Sequence, residues 1–429
     1  MQKISKSRIS QTFVLFLTLI IATSCLTLLV VKPANAQIAT PAPSLPSSTD
    51  ATLVWNRTYT DSNLNSVASV IKTADGGFIL AGITSSNGSP TGLELMKIDS
   101  SGNPLWSKIY PGTAGGMSNY AKWIVQTSDG GYVIAGQFEG NAWLAKLDAD
   151  GNMQWNKTYT VGTGHSGADI LIKTSDGGFA LTGFSSMTNS SDVSTYLLKT
   201  DSLGNQQLST ILNTDGIDSI IQTSDGGYAF TTKSSRMIIE RGEIKIDCTL
   251  SKIDSNGSPQ WSQVYPDFGY GWSIVQTNDG GYVLGGGGIA LLKTNSFGVM
   301  QWNQSYGSGQ AWVMTKTSDS GFALAGTALV KTDAAGNEQW TLNFPDEAHA
   351  YTVIQTNDGG YLCAGQLLLG SATARTSWVA KINPIPTQSI MPTPAVSPSP
   401  SVPELSWLAI LPLFAATLFI AVLFRRKNK

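Results

Sequence analysis

Histidine occurs only 2 times in this chain of 429 residues, cysteine 3 times, and charged residues make up 13%. So few histidines and cysteines leave no zinc-ligand spacing and no obvious base for a nucleophile. No glycine-rich phosphate loop is present, nor an Asp-x-Asn-x-Asp-Gly calcium loop. Asp148-Ala149-Asp150-Gly151-Asn152 comes nearest to the latter, and a simple turn explains it better. The formal net charge is −2, so no basic surface points to nucleic acid. No metal and no cofactor is expected. Helical periodicity is absent from the long middle of the chain.

Long apolar runs occur only at the two ends. Lys3, Lys6 and Arg8 precede an apolar run from Phe13 to Val31, followed by Ala34-Asn35-Ala36. This reads as a secretory signal peptide over residues 1–36, an uncleaved anchor being the alternative. A lipoprotein signal through Cys25 fits less well. At the other end, Trp407 to Phe424 carries no charge and spans about 27 Å as a helix. Arg425, Arg426, Lys427 and Lys429 follow, which places that end in the cytoplasm. Residues 404–429 are therefore expected to anchor the chain in the cell membrane, with an extracellular ectodomain. Two linkers frame that ectodomain, 37–50 and the proline-rich 384–403. The second, as polyproline II, would be a spacer of roughly 60 Å. Cys248 and Cys363 lie in distant repeats, which argues against a disulfide.

Glycine (44 residues) and tryptophan (12) are plentiful, and they recur in a pattern. Asp-Gly-Gly followed by an aromatic begins at Asp75, Asp129, Asp176, Asp225, Asp279 and Asp358, with a degenerate copy at Asp319. The copies are about 39 to 54 residues apart, the spacing of propeller blades. Each copy reads as four short strands, A to D. Trp123–Thr127, Tyr132–Gly136, Ala142–Asp148 and Gln154–Tyr159 form the clearest set, with tight turns between them. A D-type strand, Val54–Tyr59, precedes the first strand A, and the last repeat stops at strand C. The first strand must then complete the last blade, which removes two open edges. The fold class is all-β, a seven-bladed β-propeller over residues 51–383, expected to act as a monomer.

An aromatic opens every strand B: Phe78, Tyr132, Phe179, Tyr228, Tyr282, Phe322 and Tyr361. A tryptophan recurs in strand D at Trp55, Trp106, Trp155, Trp261, Trp302 and Trp340, with Leu208 at the remaining copy. Both sets read as packing between blades. The runs Asp148-Ala149-Asp150-Gly151-Asn152-Met153-Gln154-Trp155 and Asp333-Ala334-Ala335-Gly336-Asn337-Glu338-Gln339-Trp340 resemble the tryptophan-docking motif of quinoprotein-type propellers. The whole repeat resembles the Thr-Ser-Asp-Gly-Gly-Tyr repeats of secreted archaeal and bacterial propellers. That resemblance implies a propeller fold and placement at the cell surface. The tail from Pro403-Glu404-Leu405 onward resembles surface-sorting tails, an ordinary membrane anchor being the other reading. The adjacent-cysteine pair of quinone enzymes is missing. Thr127 to Ile134 approximates the Asp box of sialidases without its final tryptophan. Arg57, Arg236, Arg241 and Arg375 do not assemble into the arginine cluster such an enzyme needs.

Alignment of the A strands on their last threonine separates structure from function. One position earlier stand Lys72, Gln126, Lys173, Gln222, Gln276, Lys316 and Gln355, a uniform polar ring that reads as a channel lining or a strand-end feature. Five positions earlier stand Ala68, Lys122, Asp169, Asp218, Trp272, Trp312 and Tyr351. This second ring escapes repetition, and such positions are free to carry function. Lys122, Asp169, Asp218, Trp272, Trp312 and Tyr351 are thus the candidate ligand site, on the rim where the D-to-A and B-to-C loops vary. Aromatics that merely plug the channel are the competing reading. His165 and His349 read as solvated loop residues. Two functions remain open. One is a binding or adhesion module for glycan, peptide or a partner protein. The other is an extracellular polysaccharide hydrolase or lyase using Asp169 and Asp218. Glycosylation sequons stand at Asn56, Asn87, Asn156, Asn189, Asn256 and Asn303.

Overall fold

The computed structural model describes residues 51–59, 64–86, 89–111, 123–186, 193–212, 214, 216–238, 243–345, 347–368 and 375–385. The expected signal, the N-terminal linker, the proline-rich linker beyond Ile385 and the anchor lie outside the described residues, as do Lys122, Asn87 and Asn189.

The unit of the fold is a hairpin closed by Thr-x-Asp-Gly-Gly. In every blade the threonine hydroxyl and the second glycine N–H donate to one carboxylate oxygen of the aspartate. A lysine from strand C of the same blade meets that aspartate, as Lys146 meets Asp129 at 2.9 Å. All seven blades repeat the pair. Hydrogen bonds from the lysine, then the threonine, hold Asp75, Asp176 and Asp279 down at about 2. The lysines were not singled out in the sequence because their partners lie a hairpin away.

Such hairpins build seven antiparallel sheets of four strands. The last blade consists of strand A (Ala348–Gln355), strand B (Tyr361–Leu368), strand C (Arg375–Pro384) and, as its outer strand, Ala51–Thr58. Trp55 lies opposite Lys381 and Thr58 opposite Trp378 in that closing pair. The offset of the first strand therefore does what its register requires, and the ring is closed. No helix occurs among the described residues.

Strands B and C are buried on both faces because each blade is sandwiched between two others. Period-2 alternation sends Phe78 and Leu80 toward the last blade and Ile79 and Ala81 toward the second. Core thus lies between blades, not within them. The strand D tryptophan completes five of the seven interfaces by docking on a turn of the next blade, and at the junction of blades 6 and 7 Trp340 packs against Tyr361 instead. The Trp55 ring covers Gly102, in the C-to-D turn of the next blade, and its Nε1–H donates to the Ser100 carbonyl at 3.1 Å. Four residues later Tyr59 donates its hydroxyl to the Gly102 carbonyl at 2.9 Å. The same dock joins Trp106 and Tyr110 to Gly151, Trp155 and Tyr159 to Gly204, Trp261 and Tyr265 to Gly298, and Trp302 and Tyr306 to Gly336. Gly102 has φ +83°, and a methyl group there would sit 2.8 Å from the Trp55 ring. Only glycine satisfies both demands. At the junction of blades 3 and 4 the dock is lost. Leu208 and Leu212 replace Trp and Tyr, and Gly257 meets Thr210 instead.

Candidate functional site

The A strands of successive blades pack side by side all the way round, which places them at the axis. On them the non-repeating ring occupies a distinctive backbone position. Asp169, Trp312 and Tyr351 are each the extra residue of a β-bulge, and Ala68 is its equivalent in the first blade. Asp218 and Trp272 stand one residue before the A strands of their blades, Ser219–Gln222 and Ser273–Gln276. A bulge frees a residue from the ladder and re-aims its side chain, so it is a natural mounting for a residue that does not belong to the repeat.

The structure brings some of these residues together. In blades 6 and 7, Trp312 lies 5.5 Å from Tyr351, edge to face, and 5.1 Å from His349. His349 is half-buried within strand A, which corrects its reading as a solvated loop residue. In blade 5, Trp272 is stacked on Tyr270, with centroids 4.5 Å apart and planes within 8°. Five rings from three consecutive blades therefore stand at one end of the A strands.

The neighbouring arc is acidic. Asp169 and Asp218 are half-buried, in blades 3 and 4. Burial pushes the Asp218 carboxyl up to about 6, against the pull of Lys233. Its Oδ2 is buried and accepts no hydrogen bond. Lys233, from strand B of the same blade (Tyr228–Ile238), sits 4.7 Å over the Tyr270 ring. Sequence reasoning missed the roles of Lys233, Tyr270 and His349. A signal existed for the first. Aligned on the aromatic that opens strand B, the sixth residue is Ile83, Gln137, Phe184, Lys233, Gly287, Thr327 and Gln366, a second ring that escapes repetition.

Five members of the uniform polar ring, all but Gln126 and Lys173, are latches between blades. The Gln222, Gln276 and Gln355 side-chain oxygens accept from the backbone N–H of Ser175, Ser224 and Ser318, each in the turn of the preceding blade, at 2.7, 2.9 and 2.7 Å. Where that turn carries asparagine, the latch is lysine. Lys316 donates to Asn278 Oδ1 at 2.8 Å, and Lys72 to Asn357 Oδ1 at 3.0 Å.

Other features stand apart from the axis. A hollow of 540 Å³, lined by Tyr265, Phe268, Val299, Met300 and Asn303 among others, lies at the outer edge between blades 4 and 5. Cys248 and Cys363 are free and buried, and burial raises the Cys248 thiol to about 12, so neither is a nucleophile. Among the described residues no group of three or more His, Cys, Asp or Glu could hold a metal ion. Of the sequons, Asn156, Asn256 and Asn303 are exposed. Asn56 is only 6% exposed.

No protein-family model and no curated protein matches the chain. Solved structures do. A streptogramin B lyase is 14% identical, over 78% of this chain and 98% of that one, with a TM-score of 0.52. The WD40 propeller domain of Doa1 is 10% identical over 78% and 98%, with a TM-score of 0.53. A lyase and a WD40 domain share this architecture equally well, so the likeness shows the propeller fold and nothing about chemistry.

Proposed function

We propose that the chain is a propeller tethered at the cell surface that binds an extracellular ligand, a glycan foremost, at the mouth of its central channel. The observation that carries this reading is the arc of Tyr270, Trp272, Trp312, His349 and Tyr351 at positions that escape the repeat. Residues that only plug a seven-fold channel would be expected to repeat with the blades. These change from acid to aromatic round the ring, which suits a ligand with two different sides. Aromatic faces take the C–H face of a sugar, and the charged arc fixes its hydroxyl groups by hydrogen bonds. The apolar segments at both ends and the proline-rich spacer support display outside the cell. Protease added to intact cells should then release the propeller through that spacer; a fully protected chain would contradict the topology.

A printed glycan array probed with the full-length chain in detergent tests the binding reading. Wild type should mark a defined set of sugars, and Trp272→Ala with Trp312→Ala should weaken that binding by about tenfold or more. Undiminished binding by a double variant with an unchanged melting temperature would place the site elsewhere.

Asp218 favours a second reading. A carboxyl raised to about 6 by burial is suited to general acid work on a polysaccharide. Turnover of a polysaccharide panel that disappears in Asp218→Asn would establish the enzyme, and no turnover by wild type would remove it.

A further inference from the structure

Strand D of blade 5, Met300–Ser305, carries the sequon Asn303-Gln304-Ser305 on the open edge of its sheet. Trp302 docks on Gly336 of blade 6, so alternation turns Asn303 the other way, toward blade 4. There the hollow of 540 Å³ opens, and Asn303 forms part of its wall. Across it stand Gln263 and Val264 of the outer strand of blade 4, Pro259–Tyr265. Asn303 and Ser305 are both exposed, so the amide and the hydroxyl that a sequon uses are within reach of an enzyme.

The rim of the hollow is apolar where solvent reaches it. Val264, Val299 and Met300 line it and are each more than half exposed. Exposed apolar side chains gathered at one concavity, rather than scattered singly, mark a surface that something covers. The repeat links that surface to the sequon. In the three blades where asparagine follows the strand D tryptophan, at Asn56, Asn156 and Asn303, the residue two positions before the tryptophan is Leu53, Met153 or Met300. In the other four, where serine or threonine follows the tryptophan or its leucine substitute, that position holds Pro104, Gln206, Pro259 or Glu338. A β-bulge at Gln154 brings the two positions of blade 2 together, and Asn156 Nδ2 donates to Met153 Sδ at 3.3 Å. Blade 5 has the same bulge at Gln301, and there Asn303 and Met300 share the hollow.

We propose that Asn303 carries an N-linked glycan whose first sugar ring lies in this hollow, over Met300 and Val264, and so ties the outer strands of blades 4 and 5 together. The C–H face of the ring covers the apolar rim, and its hydroxyl groups meet water, Gln263 and Gln304. The co-reactant is a lipid-phosphate-linked oligosaccharide. Asn303 Nδ2 forms a C–N bond to the anomeric carbon, the anomeric C–O bond breaks, and the lipid phosphate leaves with the amide proton. The inference rests on display outside the cell. It goes beyond the ligand reading of the central mouth, since this site lies on the perimeter.

The test compares full-length protein from the native host with Ser305→Ala, which removes the sequon and keeps Asn303. Glycopeptide mass spectrometry should find sugar at Asn303 in wild type and none in the variant. Hydrogen peroxide, which converts exposed methionine to its sulfoxide, then probes the seat. Met300 should oxidise at least about tenfold more slowly in wild type than in Ser305→Ala, while Met153 keeps one rate in both. The first readout uses wild type alone, so the test survives a variant that fails to fold. A bare Asn303 beside sugar at Asn156 or Asn256 would overturn the proposal and leave display outside the cell standing. A chain with no sugar at any sequon would overturn it too, and release of the propeller from intact cells by protease decides display separately. Sugar at Asn303 with Met300 oxidised equally fast in both proteins would mean that the glycan extends into solvent, which sinks the seat in the hollow.

Discussion

Lys72 Nζ donates to Asn357 Oδ1 at 3.0 Å, joining residues 285 positions apart across the seam where the ring closes. The same contact recurs between Lys316 and Asn278, while at three other junctions glutamine accepts from a serine N–H in the neighbouring turn. At these five junctions the latch and the turn match in kind, whereas Lys173 follows a turn that carries Ser128 and departs from the pattern. Lysine has only donors and needs an acceptor side chain, and glutamine's oxygen needs only a backbone N–H. Lys72→Met should lower stability by about 0.5 kcal/mol, as expected for an exposed contact. Lys72→Gln combined with Asn357→Ser should recover that loss, read by denaturant unfolding as a double-mutant cycle. Strictly additive effects would show that the pair is not a latch.

The closing strand carries a larger share. Trp55 fills the space over Gly102, Tyr59 is buried beside it, and both anchor the last blade to the first. Trp55→Ala should cost about 3–5 kcal/mol, the range for truncating a large buried aromatic. Deleting residues 51–60 should go further. It would leave strand C of the last blade, with Trp378 and Val379, as a bare edge prone to aggregation. Thermal melting checks both. A truncated chain that melts like the intact one would disprove closure by this strand.

Asp218 gives the ring a pH signature. Its pKa rises from 3.8 to about 6 on folding, because burial disfavours the charge. Between these values the folded state holds the proton more tightly, so this residue's contribution to stability falls as pH rises from about 4 to about 6, and is level above. Lys233 opposes the shift, and Cys248, whose thiol feels Asp218, stays neutral throughout this window. Asp75, Asp176 and Asp279 act oppositely and lower down. Their pKa values, lowered to about 2, contribute stability above about pH 4 that is lost as pH falls toward 2. Asp218→Asn should therefore be more stable than wild type at pH 7 and show no such gain at pH 4. An equal difference at both would mean that Asp218 does not titrate in this window.

Exposure separates the sequons that the sequence treats alike. Asn156 and Asn303 are exposed in strand D and Asn256 is exposed in a C-to-D turn, whereas Asn56 in the closing strand is buried. Glycopeptide mass spectrometry of protein from the native host should find sugar at the first three and none at Asn56. A glycan on Asn56 would mean that the closing strand is modified before the ring shuts.

The number of blades, their hairpins and the closing strand were readable in the sequence because each depends on local pattern. A turn needs Asp-Gly-Gly within a few residues, a strand buried on both faces shows as a continuous apolar run, and an extra strand D at the start can only pair at the end. Candidate site residues were readable in part, by their failure to repeat. Which of them act together was not. Gln222 finds Ser175, Trp312 finds His349, and Lys233 finds both Asp218 and Tyr270 only after blades and hairpins are set side by side. Repetition in the sequence cannot express such pairings, because a contact between blades depends on the rotation that places one sheet against the next. The unsatisfied oxygen of Asp218 is decided there too, by what folding buries around it and by what it leaves without a partner.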